Sequence, residues 1–184
     1  SVLYNTLNPT TNAIPAGASP PSGHAVTVGL PLYRCPSDPG PAVNANRSNH
    51  ATSNYIGVLG NDVVAPFNGT LFPDSKVQLS QIPDGSSNTL MIGERAYGTV
   101  GTRTYNGAIW SGMANGWGST FHPLNGTSTY LLFGVSPYTF SSQHTGGVNF
   151  LRADGSITFL QSTLGDPVLS RLAARNDGEV VQVP

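Results

Sequence analysis

The apolar residues of this chain come in short clusters that are separated by turn-forming residues. Three of these clusters lie in SNYIGVLG (53–60), SNTLMIGERA (87–96) and VNFLRADGSITFL (148–160). Runs of this length suit β-strands, because a helix requires a longer segment with apolar residues repeating every 3.6 positions. The sequence therefore predicts a mainly β fold with long loops and an antiparallel sheet.

One segment near the C-terminus has the pattern of a short helix, which makes the expected fold class α+β. In DPVLSRLAARNDG, Asp166 is the predicted N-cap, Pro167 the first helical residue and Gly178 the residue that stops the helix. The predicted apolar face carries Val168, Leu169 and Leu172. Near the other end, AVTVGLPLYRC is expected to form a strand at about residues 25–34. No linker is evident, so residues 1–184 are expected to form one domain.

Charge is unusually sparse in this chain. Charged residues make up 9% of the sequence, and the net charge is −1 with only 8 Lys and Arg. The basic residues are scattered, so the sequence lacks the basic patch that nucleic-acid binding requires. Weak repulsion between copies permits self-association, so a homo-oligomer is an expected state. No apolar run reaches the roughly 18 residues of a membrane span, and the first residues do not resemble a signal peptide.

The Asp154-Gly155 pair predicts a β-hairpin. Asp-Gly favours a two-residue type I′ turn, which would place Phe150 opposite Phe159. Val148, Phe150, Ile157 and Phe159 would then share one face over the core. His144 would lie at the open end of the hairpin, about 20 Å from Asp154 at 3.3 Å per residue. The nine-residue spacing between His144 and Asp154 is therefore interpreted as architecture, and Gly146-Gly147 as a site of close chain approach.

Cys35 is the only cysteine and lies in a proline-rich segment, LYRCPSDPGP. Pro36 follows it directly, which predicts a rigid turn. A lone cysteine is either a small buried thiol or half of a disulfide to a segment outside this chain. A catalytic role is not expected, because the sequence places no histidine beside it.

Four histidines, at positions 24, 50, 122 and 144, raise the question of a metal site. None has the His-x-x-x-His or His-Glu spacing of a zinc motif, so no metal site is predicted. His144 is expected to bond to the backbone at a strand entry. Glu94 is expected to pair with its neighbour Arg95, and no Gly-x-Ser-x-Gly elbow supplies a nucleophilic serine. No catalytic residue is therefore assigned.

The loop PDGSSN carries alternating oxygen-bearing side chains at Asp84, Ser86 and Asn88, with Gly85 supplying a turn. Alternating oxygens suit Ca²⁺. Asx-turn hydrogen bonding explains the same residues and is the preferred interpretation, so calcium is kept only as the alternative.

The segment YNGAIWSGMANGWGSTF contains Tyr105, Trp110, Trp117 and Phe121. Aromatic side chains of this kind stack on sugars in carbohydrate-binding modules, and they also serve in cores and subunit contacts. Trp110 and Trp117 are the candidate interface residues.

Five motifs occur in an order that resembles a large family of bacterial, planctomycete-type pilin-like exported proteins of unknown function. They are RCPSDP (34–39), SNYIGVLG (53–60), IPDGSSNTLMIGE (82–94), SSQHTGGVNFLRADGSITFL (141–160) and GEVV (178–181). The fourth contains the His, nine residues, Asp-Gly signature of that family.

The resemblance implies a pilin-like globular head at the cell surface or outside the cell, exported by a pilin or type II secretion-like route. Members of the family begin with a prepilin-type cleavage site and a long hydrophobic helix, which are not found in this sequence and would be its only membrane contact. The family also tends to carry a cysteine near the end of the N-terminal helical region, which implies a disulfide between that region and Cys35.

Three functions are weighed. The leading one is a structural, non-enzymatic extracellular subunit of a pilin-like filament or surface assembly. The alternative is a monomeric extracellular module that binds a glycan or another ligand through the aromatic segment. The weakest is a secreted hydrolase, because the sequence offers no evident nucleophile and base.

Overall fold

A computed structural model of the chain describes residue 5 and residues 19–20, 23–112 and 120–181. These residues form a mainly β structure with one short helix, as predicted. The strands are β1 (Val43–Asn44), β2 (His50–Ser53), β3 (Tyr55–Val58), β4 (Leu90–Glu94), β5 (Tyr97–Val100), β6 (Arg103–Asn106), β7 (Ala108–Ile109), β8 (Phe121–His122), β9 (Gly147–Arg152) and β10 (Ile157–Gln161). The helix is α1 (Val168–Ala173).

The largest sheet of the described residues has five strands in the order β10-β9-β4-β3-β8. All of its pairs are antiparallel except β3 with β8, which run parallel. A three-stranded sheet, β1-β2-β7, and the β5-β6 hairpin complete the strand pairing. The predicted strands in SNYIGVLG and SNTLMIGERA are confirmed as β3 and β4, neighbours at the centre of the large sheet.

The main core lies on one face of the five-stranded sheet. Each of the three neighbouring strands β3, β4 and β9 contributes buried apolar side chains to it, and α1 covers part of them. The core residues are Ile56, Val58, Leu90, Ala108, Leu124, Leu132, Phe140, Val148, Phe150, Leu160, Leu169, Leu172 and Ala173. Burial of these side chains is the main source of stability, because each of those larger than alanine contributes roughly 1.5–3 kcal/mol when it leaves water.

The predicted strand at 25–34 is wrong. The segment forms two short 3₁₀ turns instead, Ala25–Thr27 and Pro31–Tyr33. Pro31 lacks the backbone N–H that a strand ladder needs, and its fixed φ suits the first position of a helical turn.

The hairpin is present, but its predicted turn and register are wrong. The N–H of Arg152 bonds to the carbonyl of Ser156, so the loop has three residues rather than two. Gly155 has φ +88°, whereas Asp154 does not take a positive φ, which is the pattern of a type I turn followed by a glycine bulge. Phe150 consequently pairs with Thr158 instead of Phe159.

This shift of one residue reverses the faces of β10. Val148 and Phe150 are buried as predicted, and Leu160 joins them. Ile157 and Phe159, which were expected in the core, are instead 68% and 42% exposed. The reversal follows because successive side chains of a strand point to opposite faces.

The C-terminal helix is confirmed, although it is shorter than predicted. Leu169 and Leu172 are buried, and Val168 packs at the edge of the core. Pro167, not Asp166, occupies the N-cap position, and the Asp166 carboxylate accepts a hydrogen bond from the Ser170 hydroxyl. The helix ends before Gly178, because the chain turns at Ala174 and the N–H of Arg175 bonds to the carbonyl of Asn68.

No helix of the described ranges is long and apolar enough to cross a membrane.

Candidate functional site

Three chemically reactive side chains converge at one end of the β4-β9 pair. Glu94 is the last residue of β4, His144 lies in the loop that leads into β9, and Cys35 follows the Pro31–Tyr33 turn. The Nε2 atom of His144 lies 3.3 Å from Oε1 of Glu94 and 3.5 Å from Sγ of Cys35. This convergence was not predicted from the sequence, from which His144 was expected only to bond to the backbone.

Glu94 is held in place by the neighbouring strand. Its Oε2 accepts hydrogen bonds from the backbone N–H of Asn149 at 2.9 Å and from the side-chain amide of Asn149 at 3.1 Å. These two bonds fix the carboxylate and turn Oε1 towards His144. The carboxylate is buried, so its orientation is set by these contacts and not by solvent.

The predicted ion pair between Glu94 and Arg95 is not the arrangement that the structure shows. Arg95 is completely buried elsewhere, and its Nε donates to the carbonyl of Thr139 at 3.3 Å. The physical reason is the alternation of an extended chain, in which adjacent residues point to opposite sides.

Cys35 is buried, in agreement with one of the two predictions made for it. Its backbone N–H donates to Oδ1 of Asn54, and its carbonyl accepts from the N–H of Asp38, which closes a turn with Pro36 at the second position. Burial raises the pKa of the Cys35 thiol, and the nearby carboxylates of Glu94 and Asp38 raise it further. The thiol is therefore poorly suited to act as a free nucleophile.

The loop that carries His144 is shaped by Gly146 and Gly147. The N–H of His144 bonds to Oγ of Ser142, which in turn donates to the carbonyl of Gly147 at 2.7 Å. Gly146 has φ +88°, and a Cβ on Gly147 would lie 2.2 Å from the carbonyl oxygen of Leu160. The predicted close chain approach is confirmed at Gly147, and it fixes where His144 enters the cluster.

The arrangement does not match a cysteine-histidine hydrolase. In a catalytic triad the acidic residue holds one ring nitrogen of histidine while the nucleophile contacts the other. Here Glu94 and Cys35 both face Nε2 of His144. A proton on Nε2 can be shared with only one of them at a time, so the carboxylate competes with the thiol instead of orienting the imidazole for it.

Two spaces of different size adjoin the cluster of Cys35, Glu94 and His144. On the side of Cys35 and Glu94 there is a small cavity of about 10 Å³, also lined by Asp38 and Asn54. Beyond His144 an open groove of about 450 Å³ runs past Arg103 and Phe133. The side chain of His144 is 34% exposed, so it connects the buried pair to the groove.

Asp154 is not part of this cluster. Its Oδ1 accepts from the N–H and the hydroxyl of Ser156 at the tip of the hairpin, and these bonds lower the pKa of the Asp154 carboxyl. These contacts agree with the interpretation of the His144–Asp154 spacing as architecture. That interpretation did not include the side-chain contacts of His144 with Glu94 and Cys35.

The loop containing Asp84 and Gly85 connects the hairpin tip to the C-terminal segment. The two carboxylate oxygens of Asp84 accept the backbone N–H groups of Asp177 and Gly178 at 2.9 and 3.0 Å. On the other side of the loop, the N–H of Asp154 donates to the carbonyl of Ser86 at 3.1 Å. Three motifs of the sequence thus meet at one place.

This geometry favours the turn interpretation of PDGSSN over calcium binding. The side-chain amide of Asn88 donates to the carbonyl of Asp84 at 3.0 Å, and Gly85 has φ +94°. Because both carboxylate oxygens of Asp84 accept N–H groups, they face donors and not a cation.

Trp110 lies at the surface beside an aromatic partner. Its ring stacks on Tyr33 with centroids 6.4 Å apart, and its Nε1 donates to the carbonyl of Val28 at 3.0 Å. Leu32, next to Tyr33, is 85% exposed. Of the other aromatic residues, Tyr105 is buried, and the predicted interface residue Trp117 lies outside the described residues.

The remaining histidines belong to the scaffold. Nδ1 of His24 accepts from the N–H of Val26, while Nδ1 of His50 and of His122 faces the carbonyls of Arg47 and Pro123. One signal in the sequence could have identified His144 as different: Cys35, Glu94 and His144 each lie in a separate one of the five ordered motifs.

Comparison with curated proteins and with solved structures gave no match. A family model described as "Protein of unknown function (DUF1559)" matches residues 3–166, which is most of the chain. The matched range contains Cys35, Glu94 and His144, together with the loop of Asp84 and the hairpin tip. The chain therefore belongs to the DUF1559 family of proteins of unknown function.

Proposed function

We propose that this chain is the globular head of a pilin-like structural subunit, and that it works by associating with further copies and not by catalysis. The proposal draws on the five ordered motifs, which resemble those of pilin-like exported proteins, whereas the family match by itself assigns no function. The same resemblance supports a location at the cell surface or outside the cell, reached by a pilin or type II secretion-like route. In that setting an N-terminal helix would make the membrane contact.

The observation that carries the proposal is the edge strand β10. Within the described part of the chain it forms one edge of the five-stranded sheet, and one side of its backbone has no strand partner there. Ile157 and Phe159 project from it, 68% and 42% exposed, on the face opposite the core. An edge with outward apolar side chains is a surface on which a second sheet edge can bind.

The sparse charge of the chain favours the same conclusion. Proteins commonly protect exposed sheet edges with lysine or other charged side chains. In β10 every side chain is uncharged, and the net charge of the whole chain is only −1. Repulsion between two copies brought together at this edge is therefore weak.

A non-enzymatic role is supported by the geometry at Cys35. The pKa of its thiol is raised, and Glu94 competes for the same nitrogen of His144 that a nucleophile would need. The raised pKa does not suit covalent catalysis, because the thiolate is the reactive form of cysteine. The competition for His144 does not suit it either, because a nucleophile needs that histidine as its base.

Sedimentation velocity over a range of concentrations tests the proposal. The chain should form concentration-dependent oligomers, and a Phe159→Lys or Ile157→Lys variant should shift the equilibrium towards the monomer. Val64→Lys is the matched control, since Val64 is 65% exposed and lies in the loop between β3 and β4, not on β10. A chain that stays monomeric at all concentrations would contradict the proposal, as would lysine variants of β10 that associate as strongly as the control.

A second candidate function, binding of a glycan, is favoured by the surface around Trp110. The stacked rings of Tyr33 and Trp110 and the exposed Leu32 offer the flat apolar area on which a sugar ring packs. A glycan array tests it, with Tyr33→Ala as the variant that should lose binding and Phe159→Lys as the one that should keep it. Binding of no glycan would remove this candidate. In sedimentation, Trp110→Ala tests whether the same surface serves self-association.

A further inference from the structure

Neither an assembly surface nor a hydrolase accounts for the cluster of Cys35, Glu94 and His144. We propose that these three side chains form a binding site for one divalent transition-metal ion, with Zn²⁺ as the best match. A thiolate, a carboxylate and an imidazole are the three ligand types that zinc takes in proteins. The three ligand atoms lie within 4.8 Å of one another.

The two distances measured from His144 fit tetrahedral zinc. With Zn–S near 2.3 Å and Zn–N near 2.0–2.1 Å, tetrahedral ligands place sulfur and nitrogen about 3.5 Å apart. The same reasoning places nitrogen and carboxylate oxygen about 3.3–3.4 Å apart. The structure has 3.5 Å between Sγ of Cys35 and Nε2 of His144, and 3.3 Å between that nitrogen and Oε1 of Glu94.

Hydrogen bonds from neighbouring residues orient the three ligand residues. Both hydrogen bonds from Asn149 go to Oε2 of Glu94, which leaves Oε1 directed at the cluster. Asn54 fixes the backbone of Cys35, and Ser142 fixes that of His144. Partners of this kind orient metal ligands and are a regular part of metal sites.

Among the described residues the cluster offers three ligand atoms, so a fourth ligand would have to come from outside the cluster. Asp38 lines the same small cavity, but its Oδ1 accepts from Gly40 N–H and its Oδ2 from Tyr97 N–H, each at 2.8 Å. Asp38 is therefore engaged with the backbone and is not a fourth ligand. Since His144 also lines the open groove, water or an incoming ligand atom from that side would complete the coordination.

Bound metal would join three segments that are distant in sequence. Cys35 and His144 are separated by 109 positions in the sequence. Glu94, at the end of β4, lies between these two positions in the sequence. A metal ion at this point would stabilise the folded chain, because it binds ligands that only the fold brings together. It would also occupy the Cys35 sulfur and prevent that sulfur from forming a disulfide.

Cobalt titration of the reduced, metal-free chain tests the site. Co²⁺ should bind one ion per chain, with a sulfur-to-metal charge-transfer band and the intense visible bands of tetrahedral coordination. Zn²⁺ should displace it stoichiometrically and raise the melting temperature. Cys35→Ser should remove the charge-transfer band, and Glu94→Gln and His144→Gln should each weaken Zn²⁺ binding by more than about 100-fold, since loss of an outer-shell partner alone costs about 10–100-fold.

Two controls keep the result open to refutation. His24→Gln and Glu179→Gln change the same residue types at positions away from the cluster and should leave metal binding unchanged. Circular dichroism of each metal-free variant separates loss of a ligand from loss of the fold. The proposal is overturned if the folded, reduced wild-type chain binds no Co²⁺ or Zn²⁺, or if binding survives unchanged in the folded Cys35→Ser or His144→Gln variants.

Discussion

The ring of Phe150 packs directly against the backbone of Gly93, its partner on the neighbouring strand β4. A Cβ at Gly93 would lie 2.3 Å from the Phe150 ring and 2.6 Å from the ring of Phe140. Both rings are fully buried, so neither can move without disturbing the core. The absence of a side chain at Gly93 is what allows the two aromatic rings to meet, with centroids 5.1 Å apart.

We expect Gly93→Ala to lower the free energy of unfolding by about 1–3 kcal/mol, the usual cost of overpacking a core. Urea denaturation measures this change. Gly165→Ala is the matched control, because a Cβ there meets nothing within 4 Å, and it should be close to neutral. Equal stability of the two variants would show that the core around Phe150 is loose.

Gly155→Val should lower the free energy of unfolding by more than about 1 kcal/mol, because valine is strained at the φ of +88° that the hairpin requires. Gly155→Asn should cost less, since asparagine tolerates this conformation. Thermal or urea denaturation of both variants checks the order. An unchanged melting temperature for the valine variant would be inconsistent with the glycine-bulge turn.

Asp84→Ala should lower the free energy of unfolding by about 1.5–3 kcal/mol, the usual contribution of a hydrogen bond to a charged group. The two N–H groups that lose their acceptor belong to Asp177 and Gly178. Asp84→Asn should have a smaller effect, because its one oxygen can still accept. Hydrogen exchange at these two amides should become faster in the alanine variant, and unchanged protection would refute the assigned role of the carboxylate.

The same geometry predicts that Ca²⁺ has no effect at Asp84. Added Ca²⁺ or a chelator should leave the melting temperature of the wild-type chain unchanged, because the carboxylate oxygens face backbone donors. A rise in melting temperature with Ca²⁺ that disappears in Asp84→Asn would establish the calcium alternative.

His122 should make the chain less stable at acidic pH. Burial holds the pKa of His122 well below its ordinary value of about 6.5, with the nearby Arg95 charge acting in the same direction. Below that pH the unfolded chain takes up a proton that the folded chain does not. The free energy of unfolding is therefore at its full value above the ordinary pKa and falls as the pH decreases below it.

Urea denaturation at about pH 7.5 and about pH 5 measures this dependence. His122→Phe keeps an aromatic ring against Tyr130 and Phe140 but has no titrating group, so the difference between the two pH values should shrink. It also loses the hydrogen bond to Pro123, which lowers stability at both values. His24→Gln should retain the wild-type pH dependence of the free energy of unfolding. An unaltered pH dependence in His122→Phe would show that His122 is not its source.

The sequence alone determined the type of fold and several of its parts. Short apolar runs between turn residues predicted a mainly β chain, and the strands of SNYIGVLG and SNTLMIGERA follow from them. The short C-terminal helix and the Asp154-Gly155 hairpin were also predictable, because each depends on residues that are close together in the chain. The five ordered motifs indicated a family of unknown function, and the family match over residues 3–166 agrees with that part of the prediction.

Tertiary structure decided the rest, because those features depend on contacts between distant segments. The hairpin register could not be read from Asp-Gly alone, since the tip also bonds to the loop of Ser86, and one residue of shift moved Ile157 and Phe159 to the surface. No short sequence pattern predicts the cluster of Cys35, Glu94 and His144. Its members lie in three separate motifs, and only the pairing of β4 with β9 and the packing of the Cys35 turn against them bring a thiol, a carboxylate and an imidazole together.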